Sequence, residues 1–171
     1  MKNLNTTSTF YSTNELLNKF KNIIVTSDLK LESLISENGK HIAKISDCCR
    51  KFELHFVIKN ISSGGWKEKQ TIKRIQIGNI KDGLVSTNKI RTHMLCGIIE
   101  INKKFLIVVW DSYLYTNHAT NRSCYITNNA INTAEKNGYA FVNEHNQYIW
   151  LSDDKHFNLL IRDYINYNYV G

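Results

Sequence analysis

A two-residue alternation of apolar and polar side chains constrains the fold more than any other feature of the sequence. It begins near Lys40 and recurs in short runs, the clearest of which are residues 52–58, 71–77, 94–100 and 104–110. Successive side chains of a strand point to opposite faces of a sheet, so this period predicts half-buried β-strands. Shorter runs lie at 42–45, 123–126, 139–142 and 147–151, and Asn102-Lys103 and Glu144-His145-Asn146 are expected to be the turns of two hairpins. We expect seven or so strands in all.

Helical spacing occurs at both ends of the chain and at one internal point. Residues 14–25 place apolar side chains on one face, and Thr13 or Asn14 is the expected N-cap. A second helix is predicted over 128–136, ending at Asn137-Gly138, and a third over 155–165. The expected apolar face of the first helix is Leu16, Leu17, Phe20, Ile23 and Ile24, and Asp153 or Asp154 is expected to cap the last helix.

These elements predict an α+β fold: a small mixed β-barrel, pseudobarrel-like, of about seven strands with flanking N- and C-terminal helices. Closing the sheet would remove its exposed edges. No linker or repeat divides the 171 residues, so we expect a single domain over 1–171. Residues 1–12 are rich in Thr, Ser and Asn and are expected to form a flexible arm.

Composition narrows the class of protein. Hydrophobic residues make up 42% and charged residues 22%, which is typical of globular domains. No apolar run is long enough for a membrane span, and the N-terminus lacks the apolar core of a signal peptide. The four cysteines have no regular spacing, as in proteins from reducing compartments. We therefore expect a cytoplasmic protein.

The positive charge is concentrated in the middle of the chain. The net charge is +7, and residues 59–122 contain eleven Lys or Arg residues against four acids. The preceding residues are nearly balanced, and residues 123–171 carry more acids than bases. A surface with such an excess attracts polyanions such as nucleic acid, although many basic domains bind none.

A nuclease centre would need acidic side chains that converge on Mg²⁺ near a lysine. The middle of the chain offers Glu68, Asp82, Glu100 and Asp111 for this purpose. None lies in an Asp…Glu-x-Lys arrangement, and a strand-end capping role is expected for Asp111. We therefore expect no catalytic residues. The alternative is a small, Mg-dependent type II restriction endonuclease with a divergent acidic centre drawn from these four residues.

Cysteine and histidine patterns give no expectation of a metal or a cofactor. Cys48 and Cys49 are adjacent, so within a strand they would point to opposite faces and would not share one ion. Cys96 lies in an apolar run and is expected in the core, and Cys124 with His118 lacks a second pair nearby. No CxxC motif and no phosphate-binding loop is present.

Three stretches combine cations, amides, hydroxyls and aromatic rings: residues 62–76, 89–93 and 113–123. Lys and Arg neutralise phosphates, whereas Arg, Gln and Asn form bidentate hydrogen bonds with purine edges. The sequence therefore predicts a DNA-binding surface built from these stretches. Its candidate residues are Trp66, Lys67, Lys69, Lys73, Arg74, Gln76, Arg91, His93, Tyr113, Tyr115, Asn117, His118, Asn121 and Arg122.

Several candidates also have simpler roles. Trp66 is more often a core or edge side chain than a stacking platform, and Arg74 can simply face solvent. Gln76 can pair across a sheet, and His93 and His118 can be packing residues. A pocket for a flipped methylated base would need an aromatic cage, for which Trp66, Tyr113 and Tyr115 are available.

The order of several short motifs resembles a known family. Gly65-Trp66, Lys73-Arg74-Ile75-Gln76-Ile77, Ile107-Val108-Val109-Trp110-Asp111, His118 and Arg122-Ser123-Cys124-Tyr125 follow one another as in the N-terminal recognition domains of bacterial restriction endonucleases of the McrBC and LlaJI type. The resemblance covers about residues 60–165. It implies a DNA-binding pseudobarrel related to plant B-three transcription factors, whose two arms grip the major groove.

Carried over to this chain, the resemblance places the arms near residues 66–76 and 113–122. It implies sequence-specific recognition of double-stranded DNA for a restriction system in phage defence. Cleavage would come from a nuclease or GTPase motor domain or subunit of the same system. A further alternative is a protein-interaction module that docks a nuclease and has negligible affinity for DNA.

Overall fold

The computed structural model describes residues 10–37, 39–63, 71–78, 91–112 and 122–169. Three helices and ten strands lie in these ranges. Residues 1–9 of the predicted arm lie outside them. Its last residues are held in place, since the Tyr11 N–H donates to Asn60 Oδ1 at 2.9 Å and Ser12 caps the first helix. The helices are α1 (Thr13–Thr26), α2 (Asn128–Asn137) and α3 (Phe157–Tyr169). The strands are β1 (Lys30–Glu37), β2 (Lys40–Ser46), β3 (Lys51–Asn60), β4 (Ser62–Ser63), β5 (Ile72–Ile77), β6 (Arg91–Ile101), β7 (Lys104–Trp110), β8 (Arg122–Thr127), β9 (Tyr139–Glu144) and β10 (Gln147–Asp153).

The strands form two sheets. The larger has seven strands in the order β1-β2-β3-β6-β7-β10-β9, and the smaller has three in the order β4-β5-β8. All described strand pairs are antiparallel except β3 with β6, between which β4 and β5 lie in sequence. The α+β prediction is therefore confirmed. The expected strand number was too low, and within the described ranges the two sheets do not close into a barrel.

Strand β1 escaped prediction because its sequence lacks the alternation that marks the other strands. It is an edge strand, its residues are exposed or half-buried, and Ile35 is 54% exposed. An edge strand with few buried side chains gives little hydrophobic period to detect. Its neighbour β2 alternates buried and exposed residues over most of its length.

Helix α1 confirms the first helical prediction, including its buried face of Leu16, Leu17, Phe20, Ile23 and Ile24. Its N-cap is Ser12, one residue before the two predicted candidates. The Ser12 hydroxyl accepts from the Glu15 N–H, and the Glu15 carboxylate accepts from the Ser12 N–H at 2.7 Å. This reciprocal capping box fixes where the helix begins.

Two predicted hairpins are confirmed by their turn conformation. Asn102 and Lys103 connect β6 with β7 at φ angles of 50° and 64°. His145 and Asn146 connect β9 with β10 at φ angles of 53° and 59°. Two successive residues with positive φ match the twist of the flanking strands, as in type I′ turns.

The end of α2 follows the predicted signal, whereas α3 (Phe157–Tyr169) begins and ends later than the predicted 155–165. Gly138 ends α2 at φ 80°, a left-handed conformation that glycine adopts without strain. Before α3, the Asp153 carboxylate accepts from the N–H groups of Lys155 and His156. No helix in the described part of the chain is long and apolar enough to cross a membrane.

The large sheet separates two hydrophobic clusters. On one face α1 and α3 pack over Phe56, Met94 and Trp150. On the other face the small sheet and α2 pack over Leu95, Val108 and Trp110. One side of the small sheet therefore packs on the large sheet. Its other side faces away from both hydrophobic clusters.

Candidate nucleic-acid interface

Alternation within the small sheet divides its side chains between a buried side and an outward side. Ile75 and Ile77 of β5 and Cys124 and Ile126 of β8 are buried in the cluster against the large sheet. The side chains between them point the other way. We define the outer face of the small sheet as Ser62, Arg74, Gln76, Ser123 and Tyr125, of which Gln76 is exposed and the others are half-buried.

Strand register brings these residues into two adjacent rows. Arg74 is paired with Ser62 of β4 on one side and with Tyr125 of β8 on the other. The next row pairs Gln76 with Ser123. Residues from the first and third basic-polar stretches are therefore neighbours, although about fifty positions separate them in the sequence.

Arg74 has donor capacity that the described residues do not use. Its side chain is half-buried, and its Nε atom is buried with no hydrogen-bond partner among the described residues. A guanidinium carries five N–H donors in a planar fork, which matches phosphate oxygens and the guanine edge. Because Nε is buried, only the terminal N–H groups of Arg74 can serve an external acceptor.

The position of Tyr125 is fixed by contacts on its backbone and on its ring. The Trp110 indole Nε1 donates to the Tyr125 carbonyl at 2.9 Å, which attaches β8 to the large sheet. The Tyr125 ring meets the ring of His145 edge to face, with centroids 6.5 Å apart. His145 lies at the exposed β9–β10 turn and so extends the outer face.

The Glu144 carboxylate is bonded to the end of β8. It accepts from the Thr127 N–H at 3.0 Å and from the Thr127 hydroxyl at 2.6 Å. Thr127 also caps α2 by accepting from the Ala130 N–H. The pair joins the end of β8 to β9 and stabilises the junction beside Tyr125.

Two further predicted residues of the small sheet differ in accessibility. Arg122 begins β8 opposite Ile77 and is exposed. Lys73 lies on the inner side with Ile75 and Ile77 and is only 8% exposed. Burial lowers the pKa of the Lys73 amine below its usual value. Lys73 therefore does not share a face with Arg74 and Gln76.

Residues 91–93 of the second basic-polar stretch lie in β6 of the large sheet, not in the small sheet. Arg91 begins β6 opposite Glu53, and His93 lies opposite His55, with ring centroids 5.1 Å apart. The His93 carbonyl accepts from the Ser112 hydroxyl at 3.0 Å and from the Tyr164 hydroxyl at 2.7 Å. His93 thus has a structural role in connecting β6, the end of β7 and α3.

The other predicted contact residues, and with them the proposed aromatic cage, lie outside the described residues. They are Trp66, Lys67, Lys69, Tyr113, Tyr115, Asn117, His118 and Asn121.

The candidate acids of a nuclease centre are only partly described. Glu100 accepts a hydrogen bond from the Tyr11 hydroxyl, and Asp111 accepts one from Tyr167 at 3.3 Å. Asp111 is buried, and its N–H donates to the Tyr148 carbonyl at the strand end. Neither acid belongs to a group of three potential metal ligands among the residues described. Glu68 and Asp82 lie outside those residues.

The prediction for the adjacent cysteines was wrong in its geometry. Cys48 and Cys49 lie in the turn between β2 and β3, not in a strand, and their sulfur atoms are 3.1 Å apart. With Asp47 they form a group whose potential ligand atoms all lie within 4.8 Å of one another. Cys96 is fully buried, as predicted, and Cys124 is buried too.

The outer face includes residues that the sequence did not single out as contacts. Ser62, Ser123 and Tyr125 lay within predicted stretches or motifs, but their type alone did not distinguish them. His145 was assigned only to a turn. The alternation of β5 could have marked Arg74 and Gln76 as one face, but the partner strand and its register follow only from the structure.

Comparison with protein families gives one match. Residues 52–161, more than half of the chain, match the family described as methylase-associated X1. Searches of curated proteins and of solved structures find no match. The matched region begins in β3, ends in α3 and contains the whole small sheet. The family description indicates an association with restriction and modification. The chain belongs to the methylase-associated X1 family.

Proposed function

We propose that this chain recognises a specific sequence in double-stranded DNA for a restriction-modification system, using the outer face of the small sheet. The observation that carries the proposal is the pairing of β5 with β8. It joins Arg74 and Gln76 from one basic-polar stretch to Ser123, the last residue of the other, and to Tyr125 two residues later. One outward surface thereby holds a guanidinium, an amide and two kinds of hydroxyl.

The chemistry of these groups suits a duplex. Arg and Gln form bidentate hydrogen bonds with guanine and adenine edges, and hydroxyls donate to phosphate oxygens. Arg122 is exposed at the start of β8 and adds positive charge at the end of the same sheet. The positive charge excess of residues 59–122 supports the proposal that DNA binds here, because it favours approach of a polyanion.

The family description supports a partner within the same system. A methylase, or a nuclease or GTPase motor of the McrBC or LlaJI type, would supply the chemistry, and this chain would supply the binding site. In this arrangement the chain needs no catalytic residues of its own.

Selection from a library of random duplexes at physiological salt tests the proposal. We expect an enriched sequence, bound more tightly than random DNA by about 4–10 kcal/mol. The double variant Arg74→Ala/Gln76→Ala should lose the enrichment. Arg162→Ala is the matched control, because Arg162 is exposed on α3, which packs on the opposite face of the large sheet. A library without enrichment would contradict sequence recognition.

Incubation of the same chain with phage DNA and Mg²⁺ separates recognition from cleavage. We expect the DNA to remain intact, since cleavage is assigned to a partner. Discrete fragments, abolished by Glu100→Gln or Asp111→Asn, would instead establish the endonuclease alternative.

A further inference from the structure

The tight turn between β2 and β3 holds two adjacent thiols in contact. The Asp47 N–H donates to the Arg50 carbonyl at 3.0 Å and closes the turn. The Asp47 Oδ1 atom accepts from the N–H groups of Cys49 and Arg50 at 2.8 and 2.7 Å. This backbone arrangement sets the Sγ atoms of Cys48 and Cys49 3.1 Å apart, and both side chains are exposed.

We propose that Asp47, Cys48 and Cys49 form a binding site for a thiophilic divalent cation of the Zn²⁺ class. Thiolate and carboxylate are both established zinc donors, and thiolates select soft cations over Mg²⁺ or Ca²⁺. The three ligand atoms lie within 4.8 Å of one another, so a single ion can contact all of them after side-chain rotation. This site is independent of the outer face of the small sheet and of DNA recognition.

Sulfur geometry favours chelation over oxidation. A tetrahedral zinc ion with Zn–S bonds of about 2.3 Å requires the sulfur atoms to lie roughly 3.8 Å apart. The exposed thiols reach this separation by rotating about their own bonds. A disulfide would need sulfur atoms about 2.05 Å apart. It would also need Cα atoms about 4.4–6.8 Å apart, whereas adjacent trans residues are held at about 3.8 Å.

Both thiols must lose their protons before they can bind the cation. Binding breaks two S–H bonds, forms two metal–sulfur bonds and releases two protons to solvent, so the affinity should rise with pH.

A cavity beside Cys48 leaves room for a fourth ligand. Its volume is ≈ 270 Å³, and its polar lining is Asp47, Cys48 and Arg50 from the turn, Asp28 after α1, and Asn158 and Arg162 from α3. Three protein ligands leave one position of a tetrahedral ion open, which a water molecule in this cavity can fill.

Titration of the full chain with Cd²⁺ under a non-thiol reductant tests the site. We expect an ultraviolet thiolate-to-cadmium absorption band that saturates at one equivalent and is displaced by Zn²⁺. The double variant Cys48→Ser/Cys49→Ser should lose the band, although Cys96 and Cys124 remain. Asp47→Asn keeps the Oδ1 acceptor of the turn but removes the charge, and it should weaken binding on the order of tenfold.

Asp28→Asn is the matched control, because Asp28 lines the cavity but lies outside the ligand group. It should bind Cd²⁺ like the wild type, and circular dichroism should confirm that every variant is folded. A wild-type chain without the band, or a band that persists in the double cysteine variant, would overturn the proposal. Saturation at half an equivalent would overturn it too, because it would indicate an ion bridging two chains.

Discussion

Arg74 and Tyr125 lie directly opposite each other on neighbouring antiparallel strands, with both side chains on the outward side of the small sheet. Opposed side chains on one face of an antiparallel pair are about 4.5–5.5 Å apart at Cβ, close enough to act on one ligand. The pairing joins two stretches whose charges and hydroxyls were separate features of the sequence. Two predictions for DNA binding follow from the different chemistry of Arg74 and its neighbour Gln76.

Replacement of Arg74 by Ala should weaken binding to all duplexes, because it removes a positive charge from the outer face. The plot of log affinity against log salt concentration should become shallower by about one unit. Fluorescence anisotropy over a range of salt concentrations measures this slope. Arg162→Ala on α3 should leave the slope unchanged, and an equal change in both variants would mean that only total charge matters.

Replacement of Gln76 by Ala should act on sequence preference and not on the salt slope. Gln76 is exposed and uncharged, so its proposed contribution is hydrogen bonding to a base edge. We expect a loss of about 1–3 kcal/mol for the selected site and little change for random DNA. Competition between the two duplexes measures the difference. An equal loss on both would assign Gln76 to the DNA backbone.

The sequence predicts the elements well wherever burial alternates. The strand β5 and the hairpin at Asn102-Lys103 are examples, because their side-chain period and their turn residues indicate the same structure. It fails at β1, where an exposed edge strand has no clear period. It also fails at Cys48-Cys49, because a strand pattern continues on both sides of a four-residue turn that the cysteines occupy.

The candidate site shows the same division. The residue types of β5 predict a polar outer face, but they misplace Lys73, whose charge suggested exposure. Lys73 lies an even number of residues from Ile75 and Ile77, so it is on the same side of β5 as these two. The packing of the small sheet on the large one decides that this side is the buried one. The partnership of Arg74 with Tyr125 depends on a long-range register, which local patterns do not contain.

Replacement of Gly97 by Ala should destabilise the contact between the two sheets. A Cβ atom there would lie 2.5 Å from Ile61 Cγ1 and 2.9 Å from Ile75 Cγ2, both of which are buried. Overpacking of this kind costs about 1–3 kcal/mol. Urea unfolding measures the loss.

A double-mutant cycle identifies the cause. Ile61→Ala removes the two Ile61 atoms that the new methyl group would meet and leaves Ile75 Cγ2, so the combined loss should be smaller than the sum of the single losses. Additive losses would instead assign the cost to the contact with Ile75 or to the backbone of β6.

His41 should make stability depend on pH in the near-neutral range. It is 3% exposed, its ring packs against Phe56 at 5.3 Å, and its Nδ1 atom lies 2.8 Å from the Ser36 hydroxyl. Burial lowers the pKa of His41 below 6.5, and repulsion from Lys59 lowers it further. The unfolded chain therefore binds the proton at a higher pH than the folded chain does. The free energy of unfolding should fall as the pH drops below about 6.5 and level off below the folded pKa.

Two variants separate the causes of this effect. His41→Gln should reduce the pH dependence between pH 7 and 5, because the titrating group is absent, even if the variant is less stable at every pH. Lys59→Ala should remove only the smaller contribution, so most of the wild-type dependence should remain. Urea unfolding across this range measures both. If Lys59→Ala abolished the dependence as fully as His41→Gln, charge repulsion and not burial would control the protonation of His41.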